Sequence, residues 1–330
     1  MNSPATLDSL EAALERAVTR FDDGSAISAQ IRYHFGFGQE ARRGKRLRSR
    51  LVLEVAEEEG GRVNEAIEAA CAVEIIHEFS LIHDDIEDGD RLRRGRETVW
   101  SRFGLAHGIN AGDALCSVAY LTLLGGGTSS AERKLAMHRV LLAAHLAMCG
   151  GQGRDISFET EPRVTMEDYR AMIGGKTAAL FSAACELGAL AAGAGGERSD
   201  AYARLGMAYG IAFQIEDDVL GTWGDPAQTG KPCGADLRKR KWAFPVVWAL
   251  GGPPSEARGA IAAAYAKGTE LTPADVDRVI RALDLLGARD AAHRAAKAEL
   301  AEADAVAEIA GIDRSERVRG FFRRAERRLA

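Results

Sequence analysis

The chain has 330 residues, 46% hydrophobic, 28% charged and 6% aromatic, with a formal net charge of −5. That acidic balance excludes nucleic acid as a general partner, which would call for a basic surface, and no uncharged apolar run reaches the ~18 residues of a membrane span. Five cysteines (Cys71, Cys116, Cys149, Cys185, Cys233) with no CxxC spacing read as reduced thiols of a cytoplasmic protein, neither a disulfide framework nor a zinc site; residues 1–15 lack the basic start and apolar core of a signal peptide.

Helical periodicity runs through almost the whole chain. Gly44-Lys45-Arg46-Leu47-Arg48 opens a helix carrying Leu47, Leu51 and Val55 at four-residue steps. Lys45 and Arg48 share one side of its first turn, where positive charge opposes the helix dipole and an anionic ligand compensates. The next helix shows Ala66, Ala70, Val73, Ile76 and Ser80 on one face and runs into Asp84-Asp85-Ile86-Glu87-Asp88. Asp84 and Asp88 leave one face a turn apart, about 6 Å along the axis. Like charges at that spacing cost roughly 0.2–0.5 kcal/mol, so the cluster asks for cations. Oxygen ligands suit Mg²⁺, commonly held by one or two carboxylates with substrate phosphates completing its shell. Arg93-Arg94-Gly95 follows with anion contacts, and the region reads as a diphosphate site. His77, seven residues before Asp84, shares its face two turns deeper.

Glycine breaks at 125–127, 150–151 and 193–196 separate further helices. Gln152-Gly153-Arg154-Asp155 is a polar patch after an apolar helix, and Gly174-Gly175-Lys176-Thr177 places a lysine at a glycine-supported start. A second acidic pair, Asp217-Asp218, follows Gln214 by one turn, and the next loop delivers Gly230-Lys231 and then Asp236 to Lys241. Lysines on such a loop serve as mobile point charges for phosphate oxygens. Strand-like alternation is almost absent and no Pro/Ser-rich linker divides the chain. The expectation is an all-α, single-domain helical bundle over residues 1–330 around a central cavity, where such folds place metal sites. Residues 44–250 carry the chemistry and 255–330 form accessory helices.

Taken in order, these motifs resemble those of the trans-isoprenyl diphosphate synthases, the polyprenyl synthetase family. Asp84–Asp88 matches the first DDxxD motif, Arg93-Arg94-Gly95 with Thr98 the RRGxxT that follows, Gly44–Arg48 the GKRxR motif and Gly175-Lys176-Thr177 the KT motif. Phe213–Asp218 with Gly224-Asp225 and Gly230-Lys231 matches the second aspartate-rich region, except that Gly221 stands where the family usually carries its last Asp. The resemblance implies the isoprenoid synthase fold, a homodimer, and about three Mg²⁺ ions on Asp84, Asp85, Asp88, Asp217 and Asp218. It implies that Arg93, Lys176, Thr177, Gln214, Lys231 and Lys241 contact an allylic diphosphate, while Lys45, Arg48, His77 and Arg94 hold isopentenyl diphosphate. Asp84, Asp88, Asp217, Lys176 and Arg93 would carry the ionisation. Phe79, five residues before Asp84, would act with Ser80 as a floor that stops chain growth, giving geranylgeranyl diphosphate, with farnesyl or a longer polyprenyl diphosphate as the alternatives. A terpene cyclase needs no isopentenyl pocket, which Lys45, Arg48 and Arg94 argue against. A non-catalytic regulatory subunit is disfavoured by the intact first motif.

Overall fold

The structure, a computed structural model, describes residues 4–38, 44–125, 129–225, 232–312, 318 and 320. Apart from one two-residue hairpin, its regular elements are helices, and the fold is all-α. Contacts within the chain fall into two compact units, residues 1–143 with 183–203, and residues 144–182 with 204–330.

The first unit contains α1 (Pro4–Thr19), α2 (Ala26–Phe35), α3 (Leu47–Glu58), α4 (Val63–Glu87), strands β1 (Leu92–Arg93) and β2 (Arg96–Glu97), α5 (Val99–Phe103) and α6 (Leu105–Leu124). Its axis is α4, against which α1, α3 and α6 pack. Residues 69–76 of α4 are buried on every side, the pattern of a helix enclosed by others rather than lying on a surface. Two glycines bring α6 close to it. A Cβ at Gly112 would lie 2.2 Å from His83 Nε2, and one at Gly108 would lie 2.9 Å from Ile86 Cδ1. The acid-bearing end of α4 is therefore wedged tightly against α6.

Helix α7 (Ala131–Phe158) begins in the first unit and ends in the second. The second unit continues with α8 (Met166–Ile173), a π-helical turn (Gly174–Ala178) and the start of α9 (Ala179–Ala192). From residue 204 it takes up α10 (Gly196–Trp223), then α11 (Ala235–Arg238), α12 (Phe244–Leu250), α13 (Glu256–Tyr265), α14 (Pro273–Leu286) and α15 (Ala288–Ile309). Tyr169, Ile215, Val219, Trp242, Phe244, Val247 and Leu283 share one apolar core. Among the described residues no helix is long and apolar enough to cross a membrane.

Candidate active site

Asp84 lies in the last turn of α4 and Asp88 caps its end, and no basic residue occupies that turn. Acids at a helix C-terminus face the negative end of the dipole, so the position is unfavourable until a cation arrives. Asp84 and Asp88 are half-buried, whereas Asp85 is 2% exposed. Asp85 Oδ1 accepts a hydrogen bond from Arg93 Nε at 2.8 Å and forms an ion pair with Arg93 Nη2, also at 2.8 Å. Burial pushes the Asp85 carboxyl up against the opposing pull of Arg93.

Arg93 and Arg94 sit on the β1–β2 hairpin. Its central residues Arg94 and Gly95 have φ of 53° and 80°, the doubly left-handed pattern of a tight two-residue hairpin turn. The glycine of the RRG motif is a conformational requirement, while Arg94 adopts a backbone that side chains rarely take. Arg96 Nη2 donates to Tyr33 O at 2.9 Å, and Tyr33 OH donates to Glu97 O at 2.9 Å, fastening the hairpin to α2.

Behind the hairpin lies a buried ion cluster. Arg46, with no exposed side-chain surface, pairs with Glu11 at 2.8 Å, Glu74 at 3.1 Å and Glu78 at 2.5 Å. Glu78 also meets Arg94 Nη2 at 3.3 Å and His34 Nε2 at 2.9 Å. Burial alone would push Glu78 up, but the His34 hydrogen bond and the two arginines hold it well below the usual carboxylate range. Arg48 Nη1 lies 3.4 Å from His77 Nε2. Burial first, then the Arg48 charge, drives His77 well below the usual histidine range, so it is neutral at pH 7. Lys45 is exposed at the start of α3.

In the second unit a glycine contact positions the KT motif. A Cβ at Gly151 would meet Lys176 N at 2.1 Å, and one at Gly175 would meet Ala147 O at 2.6 Å. The π-turn, a type of insertion frequent at functional sites, thus lies directly on α7. Lys176 Nζ donates to Asp155 Oδ2 at 2.5 Å, and Lys241 Nζ lies 4.0 Å from the same oxygen. Asp217 is exposed on α10, while Asp218 is 6% exposed. Asp218 accepts from Tyr169 OH at 2.7 Å, Phe244 N at 2.7 Å and Gln214 Nε2 at 2.8 Å. Burial pushes its carboxyl up to about 7 in spite of those donors. Thr177 Oγ1 donates to Gln214 Oε1 at 2.6 Å.

With this geometry in place, comparison with known proteins gives a consistent result. The Polyprenyl synthetase family profile matches residues 37–283. The chain belongs to this family. It is 41% identical over 289 residues to a geranylgeranyl diphosphate synthase of Mycobacterium tuberculosis, covering 86% of this chain and 81% of the relative. A polyprenyl synthetase crystal structure from Streptomyces coelicolor A3(2) superposes with a TM-score of 0.86 at 34% identity, covering 96% of each chain. A geranylgeranyl pyrophosphate synthase from Corynebacterium glutamicum, complexed with isoprenyl diphosphate and magnesium, superposes at 0.82 with 26% identity over 100% of this chain and 99% of that one.

The synthase's acids fit Mg²⁺ in a particular way. Among the described residues no group of three His, Cys, Asp or Glu side chains converges into an all-protein metal cage. Mg²⁺ instead suits one or two carboxylates with diphosphate oxygens and waters, and the chemistry of the motif acids fits that kind of shell.

Several expected contacts have different partners in the structure. Asp85 and Asp218 turn inward, where protein donors occupy them, because each lies on the packed side of its helix. Thr177 and Gln214 bond to each other, and Gln214 in turn supports Asp218. Lys231 lies outside the described residues. Sequence reading assigned no role to Glu78 or Tyr169, and noted Asp155 only as part of a polar patch. Glu78 had a signal available: an acid within the apolar stretch of α4 demands a buried counter-ion.

Proposed function

We propose that this synthase is a Mg²⁺-dependent trans-prenyltransferase that joins isopentenyl diphosphate head-to-tail to an allylic diphosphate, with geranylgeranyl diphosphate as its product. The observation that carries the reading is that each unit presents motif acids that are not fully buried, Asp84 and Asp88 in one and Asp217 in the other, and motif cations held by a neighbouring carboxylate, Arg93 by Asp85 and Lys176 and Lys241 by Asp155. When bound, Mg²⁺ neutralises charge building on the leaving diphosphate. Arg93, Lys176 and Lys241, with Lys231, donate to the allylic diphosphate oxygens and stabilise the same developing charge. Lys45, Arg48 and Arg94 hold the isopentenyl diphosphate, and neutral His77 adds a hydrogen bond rather than a charge. The allylic carbon–oxygen bond ionises to release diphosphate, the isopentenyl double bond attacks the cation, and transfer of a proton to the released diphosphate completes the new alkene. Apolar helix faces keep water from quenching the cation.

The assignment of the named side chains, about three Mg²⁺ ions per site, a homodimer through the helices of residues 107–150, a cytoplasmic location and one catalytic domain over residues 1–330 belong to the same proposal. Its support is the order of the motifs, the relative's name and the magnesium and isoprenyl diphosphate in the Corynebacterium glutamicum structure. The test is incubation of the pure protein with Mg²⁺, isopentenyl diphosphate and dimethylallyl, geranyl or farnesyl diphosphate, with products identified by chromatography. Elongation ending mainly at geranylgeranyl diphosphate is expected. A farnesyl end point would correct the product alone, whereas no elongation with any primer would overturn the function.

A further inference from the structure

Glu78 is a buried acid that the reaction above leaves unused. It is 0% exposed, and its Oε1 receives Arg46 Nη1 at 2.5 Å together with Arg94 Nη1 at 3.4 Å and Nη2 at 3.3 Å. We propose that Glu78 is the positioning residue for Arg94, holding its guanidinium ready for isopentenyl diphosphate before the substrate arrives. The inference rests on the assignment of Arg94 to that diphosphate.

Arg94 needs such an anchor. Its backbone is fixed by the left-handed hairpin turn, but its long side chain keeps its rotamer freedom unless something holds the far end. Both terminal nitrogens of Arg94 converge on one oxygen of Glu78, which orients the plane of the fork. Two of its five N–H donors are engaged in this way, and the side chain remains 26% exposed. On another side it lies against the backbone of the α3 entry, since a Cβ at Gly44 would come 2.9 Å from Arg94 Nη2. That entry carries Lys45 and Arg48, so Glu78 and Gly44 together confine Arg94 beside the other two cations assigned to the diphosphate. A ligand-binding group fixed in advance loses less freedom on binding.

Glu78 also pairs with Arg46 and His34, but Arg46 keeps two further carboxylates, Glu11 and Glu74, when Glu78 loses its charge. The arrangement is also repeated. Two turns along α4 from Glu78, Asp85 anchors the neighbouring Arg93 in the same manner. Adjacent arginines assigned to different diphosphates are thus tied to separate acids of one helix.

The test compares Glu78→Gln, Arg94→Gln and the double variant in the full chain with Mg²⁺, measuring KM for isopentenyl diphosphate and for the allylic substrate, kcat and thermal unfolding. Glu78→Gln should raise the isopentenyl KM about five- to tenfold, the loss of one charge-assisted contact, with kcat and the allylic KM changed less than about twofold. The double variant should be no worse than Arg94→Gln, since two residues acting through one contact are not additive. Glu78→Asp, which keeps the charge, should recover part of the affinity and replaces Glu78→Gln if that variant does not fold. An unchanged isopentenyl KM in the Glu78 variant, beside a raised one in Arg94→Gln, would overturn the positioning role. Additive losses in the double variant would overturn it as well. An unchanged isopentenyl KM in Arg94→Gln would instead overturn the underlying assignment of Arg94.

Discussion

Gly221 lies one turn after Asp217, where the family pattern usually ends in an acid, and the structure shows what fills its place. A Cβ built on Gly221 would lie 1.8 Å from Asp236 Oδ2. The missing side chain has left room for a carboxylate that arrives from α11, so the face of α10 beyond Asp217 is acidic in spite of the glycine. Restoring the family residue should therefore do harm. Gly221→Asp would bring a second carboxylate into the space that the Asp236 side chain occupies and push that side chain aside. We expect kcat/KM to fall about tenfold or more, as a misplacement near 1 Å can cost a hundredfold. Activity equal to or above the native level would show that Asp236 is irrelevant to the site. At this scale part was legible beforehand: that Asp84 and Asp88 share a face follows from helical spacing, and Asp217 was singled out by the resemblance of its motif. The destination of Asp236, fifteen residues beyond Gly221 across a turn and a loop, was not, because no local period links the two positions.

Helix α4 shows how one element serves several roles by register. Its far C-terminal turn presents Asp84 and Asp88, its packed side sends Glu78 and Asp85 to the hairpin arginines, and one turn before the acids lies Phe79. Phe79 is 9% exposed and meets the His83 ring edge-on, with centroids 4.9 Å apart. Ser80 Oγ donates back to His77 O at 2.8 Å, so the small hydroxyl is folded onto its own helix. The bulk at this level is thus the Phe79 ring, backed by His83, which Gly112 of α6 accommodates. Removing it opens space for a longer product: Phe79→Ala should shift the distribution by one or more isoprene units in a radiolabelled chain-length assay. An unchanged distribution would mean that the ring is ordinary core. That His77, Asp84 and Asp88 share a face of α4 could be read from the period of the helix. That acids on the packed face would find cations from α2, the α3 entry and the hairpin could not.

For the molecule as a whole, the surface carries an unusual load of large apolar side chains on two helices. Leu121 and Leu124 of α6 and Leu135, Leu142 and Leu146 of α7 are 44% to 76% exposed. Leu135 and Leu142 are two turns apart on α7, and apolar surface gathered in this way marks an interaction site. This fits the proposed homodimer through residues 107–150. The expectation is that the native protein elutes as a dimer in size-exclusion chromatography with light scattering, and that Leu142→Asp with Leu146→Asp shifts it to monomer. A monomeric native protein would refute the assignment of this surface.

The sequence by itself determined the all-α class, the family and the positions of the two acidic motifs, because each depends on spacing within one helix or on motifs a few residues long. Tertiary structure alone decided which charges face inward. Asp85, Asp218 and Glu78 sit within or beside the motifs, yet their partners, Arg93, Tyr169, Phe244 N–H, Arg46, Arg94 and His34, come from other elements. A buried carboxylate survives only where such donors meet it. The packing of helices around α4 and α10 therefore turns Glu78, Asp85 and Asp218 toward protein donors, while Asp84, Asp88 and Asp217 keep exposed surface.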